Sequence, residues 1–534
     1  MRRIWAICGT CVLALSLTVP SGAQAATASV SFMSTTGRVS GFIQHGVIEY
    51  RGIPFAAAPL GDLRFEPPKP VQPWPTTLQA DHWRSACPQV ARFNQTDGSL
   101  DEDCLYLNVA YTPSAQKRRP VLVWFYGGAY VGGSADLYRL DRLARDTGAI
   151  IVAGNYRVGA MGFLSHPALD TNNNAVVGML DQRAILKWVH HNIARLGGDP
   201  SNITIAGGSA GAISVCLQLS SPLSQPGDFA QVIIQSGACL TPLPRQADLY
   251  PYGLELAHKL GCRDNDVGCL KAQPIAKIIE AQTQITATHP QAFVPAVGSA
   301  FMPTAPSMRF HAGNFLHVPI LNGANRDEMT LYVGYQVAYG HAIDETNFVE
   351  STHSVYADQT PRVLAEYAND PDYLSLTAPQ RLGRLESDFV PLGTLSHCLV
   401  LSGVDVLAAF TPVYEYEFTD RDGPAQMRPE PFKLGAVHAG ELPYLFPHIS
   451  HNHRLDGADL DANSEQLAKL MLMHWGAFLR TGHPALASHE RWPQYHSRGG
   501  VFELNPMHSG EIEAQRRHHC EFWRGLYPAL LSAD

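Results

Sequence analysis

The sequence predicts an α/β protein with a mostly parallel central sheet and helices on both faces. Strand-like and helix-like segments alternate along most of the chain, the pattern of a sheet covered on both sides. The strand segments include continuous apolar runs, as expected of strands buried on both faces. Of 534 residues, 45% are apolar and only 16% charged, which favours a large buried core over disorder. The net charge is −9 and no long basic run appears, so nucleic acid is not an expected partner.

The elements follow in order. Residues 1–25 read as an export signal: Arg2 and Arg3, an apolar stretch from Ile4 to Val19, then Ala23-Gln24-Ala25 as a small-residue cleavage site. The apolar stretch is short for a membrane span, and no other run is long enough. No stable membrane insertion is therefore expected, and the chain should be secreted or periplasmic. Residues 26–534 show no repeat or low-complexity linker and are expected to form one domain with long loops.

Val121-Leu122-Val123-Trp124-Phe125 is a buried strand ending in Tyr126-Gly127-Gly128, and Ile150-Ile151-Val152 is a second. Asp181 to Leu196 has helical spacing and stops at Gly197-Gly198-Asp199-Pro200. Ile203 to Ala206 is a strand, and Ala212 to Leu219 suits a helix. Val232-Ile233-Ile234 and Ile320-Leu321 are further buried strands. Val413 to Phe418 alternates in polarity, which predicts a strand near a sheet edge. Ser464 to Arg480 is an amphipathic helix with Gly482 and Pro484 as stop signals. Residues 241–315 and 335–400 read as helical insertions capping the sheet as a lid or wall.

Eight cysteines remain beyond the signal, an even number that suggests disulfides in an exported chain. Cys262 and Cys269 enclose a short polar loop, and Cys87 and Cys104 a longer one; Cys398–Cys520 is a further possibility. A loop of the second size is stabilised by about 3 kcal/mol in the chain-entropy view. Metal binding is not expected, because no Cys-x-x-Cys or clustered Cys/His spacing occurs. His190-His191 and His518-His519 read as surface residues.

Gly207-Gly208-Ser209-Ala210-Gly211 lies between the strand at 203–206 and the helix at 212–219. A strand that turns sharply into a helix around Gly-x-Ser-x-Gly exposes its serine as a nucleophile. A serine hydroxyl needs a base, and the base needs an orienting carboxylate. In this arrangement the order is Ser, then Asp or Glu, then His. The acid candidate is Glu328, in a loop after the strand at Ile320, with Asp327 as its neighbour and competitor. The base candidate is His438, in Gly435-Ala436-Val437-His438-Ala439-Gly440-Glu441. Tyr126-Gly127-Gly128-Ala129-Tyr130 can aim backbone N–H groups into a cavity and, with Ala210, hold an oxyanion. Each of these segments alone is common in loops; their order along one chain is the signal.

The chain resembles the type-B carboxylesterase and cholinesterase family of α/β-hydrolases. The likeness runs from about residue 35 to the C-terminus. Its motifs are Arg51-Gly52-Ile53-Pro54-Phe55-Ala56 with Gly61-Asp62-Leu63-Arg64-Phe65 and Pro67-Pro68; Glu102-Asp103-Cys104-Leu105-Tyr106-Leu107-Asn108-Val109; and Asn155-Tyr156-Arg157, Asp181-Gln182-Arg183 and Gly197-Gly198-Asp199-Pro200 ahead of the elbow. The resemblance implies an α/β-hydrolase fold with helical insertions around an active-site gorge. It implies Ser209 as nucleophile, Glu328 as acid and His438 as base. The oxyanion donors become Gly128, Ala129 and Ala210. It also implies an Arg64–Glu102 ion pair and the pairings Cys87–Cys104 and Cys262–Cys269; Cys520 matches a third disulfide position, with Cys398 roughly in register. Tyr130 and Phe293 are candidates for the acyl-pocket wall.

Two departures stand out. The family usually has Glu before the nucleophile, where this chain has Gly208, which implies an altered pH profile or deacylation rate. The loop between Cys87 and Cys104 is short and has no Trp, whereas cholinesterases hold choline there by cation–π contact. A choline ester is therefore not the expected substrate. The expectation is an exported serine hydrolase of carboxylic esters, acting on a small-molecule substrate, that needs no cofactor. The alternatives are a lipase, an amidase or specialised detoxifying esterase, and a non-catalytic binding protein. The filled triad positions argue against the last.

Overall fold

The computed structural model describes residues 29–531 apart from 92–97, 170–171, 392, 394, 425–426, 428–429, 448–459, 487–491 and 497. The export signal lies outside the described residues. One sheet of thirteen strands runs through the molecule. Its first part is built from β1 (Ser29–Met33), β2 (Arg38–Gln44), β3 (Val47–Pro54), β4 (Leu78–Gln79) and β5 (Tyr106–Tyr111). The central strands are β6 (Arg119–Phe125), β7 (Ile150–Gly154), β8 (Gly198–Gly208), β9 (Gln231–Gln235), β10 (Ile320–Asn325) and β11 (Val413–Phe418), and β12 (Val501–Leu504) with β13 (Gly510–Ile512) completes it. The order is β1-β2-β3-β5-β7-β6-β8-β9-β10-β11-β12-β13, with β4 beside β2. From β7 to β12 every pairing is parallel; the flanking pairs are antiparallel apart from β4, which runs parallel to β2. A parallel strand needs a crossover connection, so helices cover both faces.

The apolar runs read from the sequence are explained by this double cover. Val121, Val123 and Phe125 enter one core with helices Val177–Asn192, Ala210–Ser220 and His397–Ala408. Leu122 and Trp124 enter the other core with helices Asp141–Thr147 and Ala462–Thr481. Both faces exclude water, so neither set of alternate positions tolerates a charge. The last of these helices begins at Asp461, whose carboxylate accepts from the Ser464 N–H at 2.8 Å, and ends at Gly482 in the left-handed region (φ 71°). The segments expected to be helical around 241–315 and 335–400 are helix-rich, with Gln246–Lys259, Ile275–Thr288 and Ala378–Asp388 among them.

Two expectations are corrected. β11 is not near a sheet edge: it pairs with β10 and β12, and all six of its residues are buried. Its alternation was read as a wet face because Glu415 and Glu417 are polar. Both are buried, and both meet partners distant in sequence. Asn322 Nδ2 donates to Glu415 at 2.7 Å, and Arg517 and His518 meet Glu417 at 3.0 and 3.1 Å. His518 is likewise not a surface residue; it is fully buried between Asp388 and Glu417.

Four disulfides close: Cys87–Cys104, Cys216–Cys239, Cys262–Cys269 and Cys398–Cys520. The Arg64–Glu102 pair forms with two hydrogen bonds of 2.7 and 2.5 Å, and Arg64 also donates to the carbonyls of Lys271 and Gln273. Arg157 and Asp181 are fully buried and bidentate at 2.8 and 2.7 Å. A buried pair of this kind is costly to break from one side, because the remaining charge has no water. Arg157→Met should lower urea stability by about 3–5 kcal/mol by stranding Asp181. A loss under about 1 kcal/mol would contradict that account.

Candidate active site

The elbow forms where β8 meets the helix Ala210–Ser220. Ser209 sits at φ 58°, ψ −127°, a backbone region that non-glycine residues occupy only when the surroundings enforce it. Those surroundings are the two outer glycines. A Cβ on Gly207 would lie 2.4 Å from the Gly211 backbone, and one on Gly211 only 2.0 Å from the Phe125 carbonyl oxygen. Gly208 is different: a Cβ there would make ordinary contacts at 3.6 Å with the Trp124 ring and 3.8 Å with Leu442. The Ser209 N–H donates to the Gln235 carbonyl at 2.9 Å, and its carbonyl accepts from Ile213 N–H at 3.0 Å. The serine is thereby pinned to β9 on one side and to its helix on the other, with part of its surface open.

The loop after β6 lies against this turn. A Cβ on Gly127 would meet the Gly208 carbonyl oxygen at 2.7 Å and Ser209 Cβ at 2.8 Å. Gly128, Ala129 and Tyr130 have φ of 122°, 54° and 61°, three consecutive positive values. The Gly128 carbonyl is tied back by Val131 and Gly132 N–H groups at 3.0 and 3.2 Å. Among the described residues, no protein acceptor takes the N–H of Gly128, Ala129 or Ala210. Ala129 is exposed and Gly128 half-buried, so a substrate oxygen can reach this loop. Tyr130 turns inward: it is buried, its ring meets Phe163 edge-on at 5.1 Å, and its hydroxyl accepts from Ser214 at 3.3 Å. Phe293 is fully buried among Leu256, Ile278 and Ile285. Neither offers open surface to a pocket.

The loops after β10 and β11 are stitched together. His438 Nδ1 lies 2.6 Å from Glu328 Oε2, and Glu328 Oε1 accepts from the Asn325 N–H at 2.7 Å. Glu328 is fully buried and His438 nearly so. Glu328, not Asp327, therefore faces the histidine. Asp327 points the other way, into a two-pronged pair with Arg421 at 2.8 and 2.6 Å, and accepts from Ala436 N–H at 3.0 Å. Its backbone N–H donates to the Ala436 carbonyl at 2.9 Å, and His438 N–H donates to the Glu328 carbonyl at 3.3 Å. Burial opposes a charged imidazole, but the Glu328 carboxylate, its hydrogen bond and the nearby Glu441 carboxyl outweigh it and raise the His438 pKa.

Sequence reasoning missed four residues here. The Tyr332 ring lies 5.8 Å from the His438 ring. Glu441, fully buried, accepts from Gln235 Nε2 at 3.0 Å and Asn325 Nδ2 at 2.5 Å. Glu441 stood within the quoted histidine motif, but nothing in its spacing separates a buried carboxyl from a solvated loop charge. Gln235 and Asn325 end strands, where only the folded sheet reveals what their amides meet.

A second cluster of ionisable groups lies on the far side of Asn325. His397, Glu417 and His518 bring their ligating atoms within 4.8 Å of one another. The His397 and His518 rings, however, are stacked 3.7 Å apart and 9° from parallel. Ring nitrogens bind metals in the ring plane, so two parallel rings stacked this closely cannot both address one ion. Both His518 nitrogens also contact carboxylates, which marks an imidazolium in an ion chain running from Arg384 through Asp388, His518 and Glu417 to Arg517.

Residues 27–523 match the carboxylesterase family. The chain belongs to that family. It is 30% identical over 472 residues to the para-nitrobenzyl esterase of Bacillus subtilis, covering 86% of this chain and 91% of that one. It is 31% identical over 515 residues to the fumonisin B1 esterase of Sphingopyxis macrogoltabida, covering 92% and 90%. A solved thermophilic para-nitrobenzyl esterase superposes with a TM-score of 0.76 at 25% identity, covering 92% of this chain and 99% of that chain. The fold is the α/β-hydrolase fold, and the chain is a carboxylic ester hydrolase.

The backbone constraint on the loop after β6 is testable. A Cβ at Gly128 would fall 2.2 Å from the Gly132 carbonyl oxygen, at φ 122°. Gly128→Ala should lower kcat by about 10²–10³ and leave KM within a few-fold, the signature of a lost oxyanion donor. Steady-state kinetics with a chromogenic ester decides; an unchanged kcat removes the loop from the chemistry.

Proposed function

We propose that this carboxylesterase cleaves small carboxylic esters through an acyl-enzyme on Ser209. The observation that carries this reading is the buried 2.6 Å contact between His438 and Glu328, with the histidine loop hydrogen-bonded through Glu441 to Gln235, whose carbonyl holds the Ser209 N–H. His438 takes the Ser209 proton as Oγ attacks the ester carbonyl. The N–H groups of Gly128, Ala129 and Ala210 receive the oxyanion. His438 then protonates the leaving alcohol, and water repeats the sequence on the acyl-enzyme. Glu328 fixes the ring tautomer and stabilises the imidazolium; it stays ionised throughout. These steps call on side chains and backbone alone.

Residues 26–534 act as one catalytic unit, exported after loss of residues 1–25. Four disulfides support an oxidising destination. No helix among the described residues is long and apolar enough to cross a membrane. The short Cys87–Cys104 loop without a Trp supports esters lacking a quaternary ammonium group.

A fluorophosphonate should label Ser209 in the folded protein, located by mass spectrometry, and Ser209→Ala should abolish both labelling and ester cleavage. Cleavage retained in that variant would refute the mechanism. The pH profile supplies an independent check. His438 must be neutral to act as base, and its pKa is raised. The kcat/KM of the free enzyme should therefore fall, as pH drops, through a value above the ordinary histidine pKa of about 6.5. A limb at or below that value would place the base elsewhere.

A further inference from the structure

The Cys216–Cys239 disulfide stands apart from the rest. The family resemblance implies the pairings Cys87–Cys104 and Cys262–Cys269 and a further position at Cys520; it implies nothing at Cys216 or Cys239. This bridge joins the helix that follows Ser209 to the segment that leaves β9. Its cysteines are 23 residues apart in sequence, and both are buried. The helix His397–Ala408 covers it: a Cβ on Gly403 would lie 3.5 Å from Leu240 Cγ and 3.9 Å from the Cys239 nitrogen.

The bridge is the far end of a series of contacts that begins at Ser209. The Ser209 N–H donates to the Gln235 carbonyl at 2.9 Å. Two residues on, Gly237 lies so close to the helix that a Cβ there would fall 2.6 Å from Ala212 Cβ and 3.2 Å from the Ile213 nitrogen. Two residues further, Cys239 is bonded to Cys216. Positions 209, 212 and 216 share one helix face, and 235, 237 and 239 are alternate residues of the segment. The segment therefore follows the helix for about two turns. A hydrogen bond fastens its start, close packing its middle and a covalent bond its end.

The near end of this series is under strain. Ser209 and Ser236 both have positive φ, 58° and 56°, and non-glycine residues stay in this region only where their surroundings enforce it. The Ser236 N–H donates to the Gly323 carbonyl at 2.8 Å, which ties the turn to β10. Its hydroxyl is buried and makes no hydrogen bond among the described residues, so the side chain adds no tether to the helix. A hydrogen bond can open and close; the disulfide cannot.

We propose that Cys216–Cys239 is a positioning clamp for the nucleophile: it holds residues 235–239 against the helix and so keeps Ser209 at the angle from which Oγ attacks. The inference rests on the reading of Ser209 as the nucleophile. The clamp makes and breaks no bond in the reaction. Without it the elbow samples a wider range of orientations, and a smaller share of molecules holds the reactive geometry. Substrate binding and the His438–Glu328 contact do not depend on it.

The test is the double variant Cys216→Ala/Cys239→Ala, with Cys262→Ala/Cys269→Ala as control; the control removes a bridge of sequence separation 7 in the helical insertion. Both should lower the unfolding temperature. They are then compared at a temperature where circular dichroism shows each to be folded. The first should lower kcat, and the rate at which a fluorophosphonate labels Ser209, about ten-fold. KM should stay within about two-fold, and the acid limb of kcat/KM should not move. The control should keep kcat within about two-fold of native. Equal losses of kcat in both variants, or no loss in either, overturn the proposal, since a bridge that only stabilises the fold gives that result. If the first variant does not fold, Gly237→Ala tests the same fastening with the disulfide intact. Its kcat should fall with KM held, and Ala212→Gly, which removes the carbon that the new methyl meets, should restore it. An unchanged kcat in Gly237→Ala, or a loss that Ala212→Gly does not reverse, also overturns the proposal. Failure of the native chain to label at Ser209 would instead overturn the nucleophile reading beneath it.

Discussion

A carboxylate with no exposed surface has to be surrounded by donors, and much of this site follows from that requirement at Glu328. Glu328 has no exposed surface, and its carboxylate rests on the Asn325 N–H and the His438 ring. Those two contacts demand that the loops after β10 and β11 run side by side. The backbone bonds between residues 327–328 and 436–438 keep them there. Asp327 reinforces the alignment from outside by pairing with Arg421 and capping Ala436. Two adjacent acids therefore do different work: one faces the histidine, the other fastens the histidine's loop.

The serine side is held by a different constraint, close backbone approach. Gly207, Gly211 and Gly127 have no room for a Cβ, so the turn, its helix and the loop after β6 collapse onto one another. Ser209, Ala129 and Tyr130 accept positive φ as the consequence, and the strain is held by the sheet on both sides. Gly208 lies outside this argument, because its glycine is not required by space or by backbone angle. That distinction is visible only when each glycine of the elbow is tested against its own neighbours.

Behind the site, buried ion pairs replace solvent as the partner of charged residues. The chain from Arg384 to Arg517 alternates in sign and ties the helix Ala378–Asp388, β11 and the C-terminal segment together. The Cys398–Cys520 disulfide lies beside the stacked His397 and His518. His397 Nε2 donates to the Asn325 carbonyl at 2.9 Å. The same Asn325 therefore receives the ion cluster on one side and orients Glu328 on the other.

The central strands, the late helix and the order serine, acid, histidine were legible in the sequence because each depends on local pattern: apolar runs, caps, and small residues around a turn. The elbow was legible for the same reason, since tight turns select glycine within a few residues. Other features were not. β11 looked like an edge strand because its glutamates looked wet; their partners lie about a hundred residues away, Asn322 for Glu415 and Arg517 with His518 for Glu417. Asp327 and Glu328 were indistinguishable as neighbours until the fold turned one towards His438 and the other towards Arg421. Glu441, Gln235 and Asn325 acquired a role only where β9, β10 and the histidine loop converge. Sequence by itself determined the family, the sheet and the candidate residues of the site, since these are written in short-range spacing. The tertiary structure alone decided which charges are buried, and against what, because a buried charge is defined by neighbours that the chain brings together only when it folds.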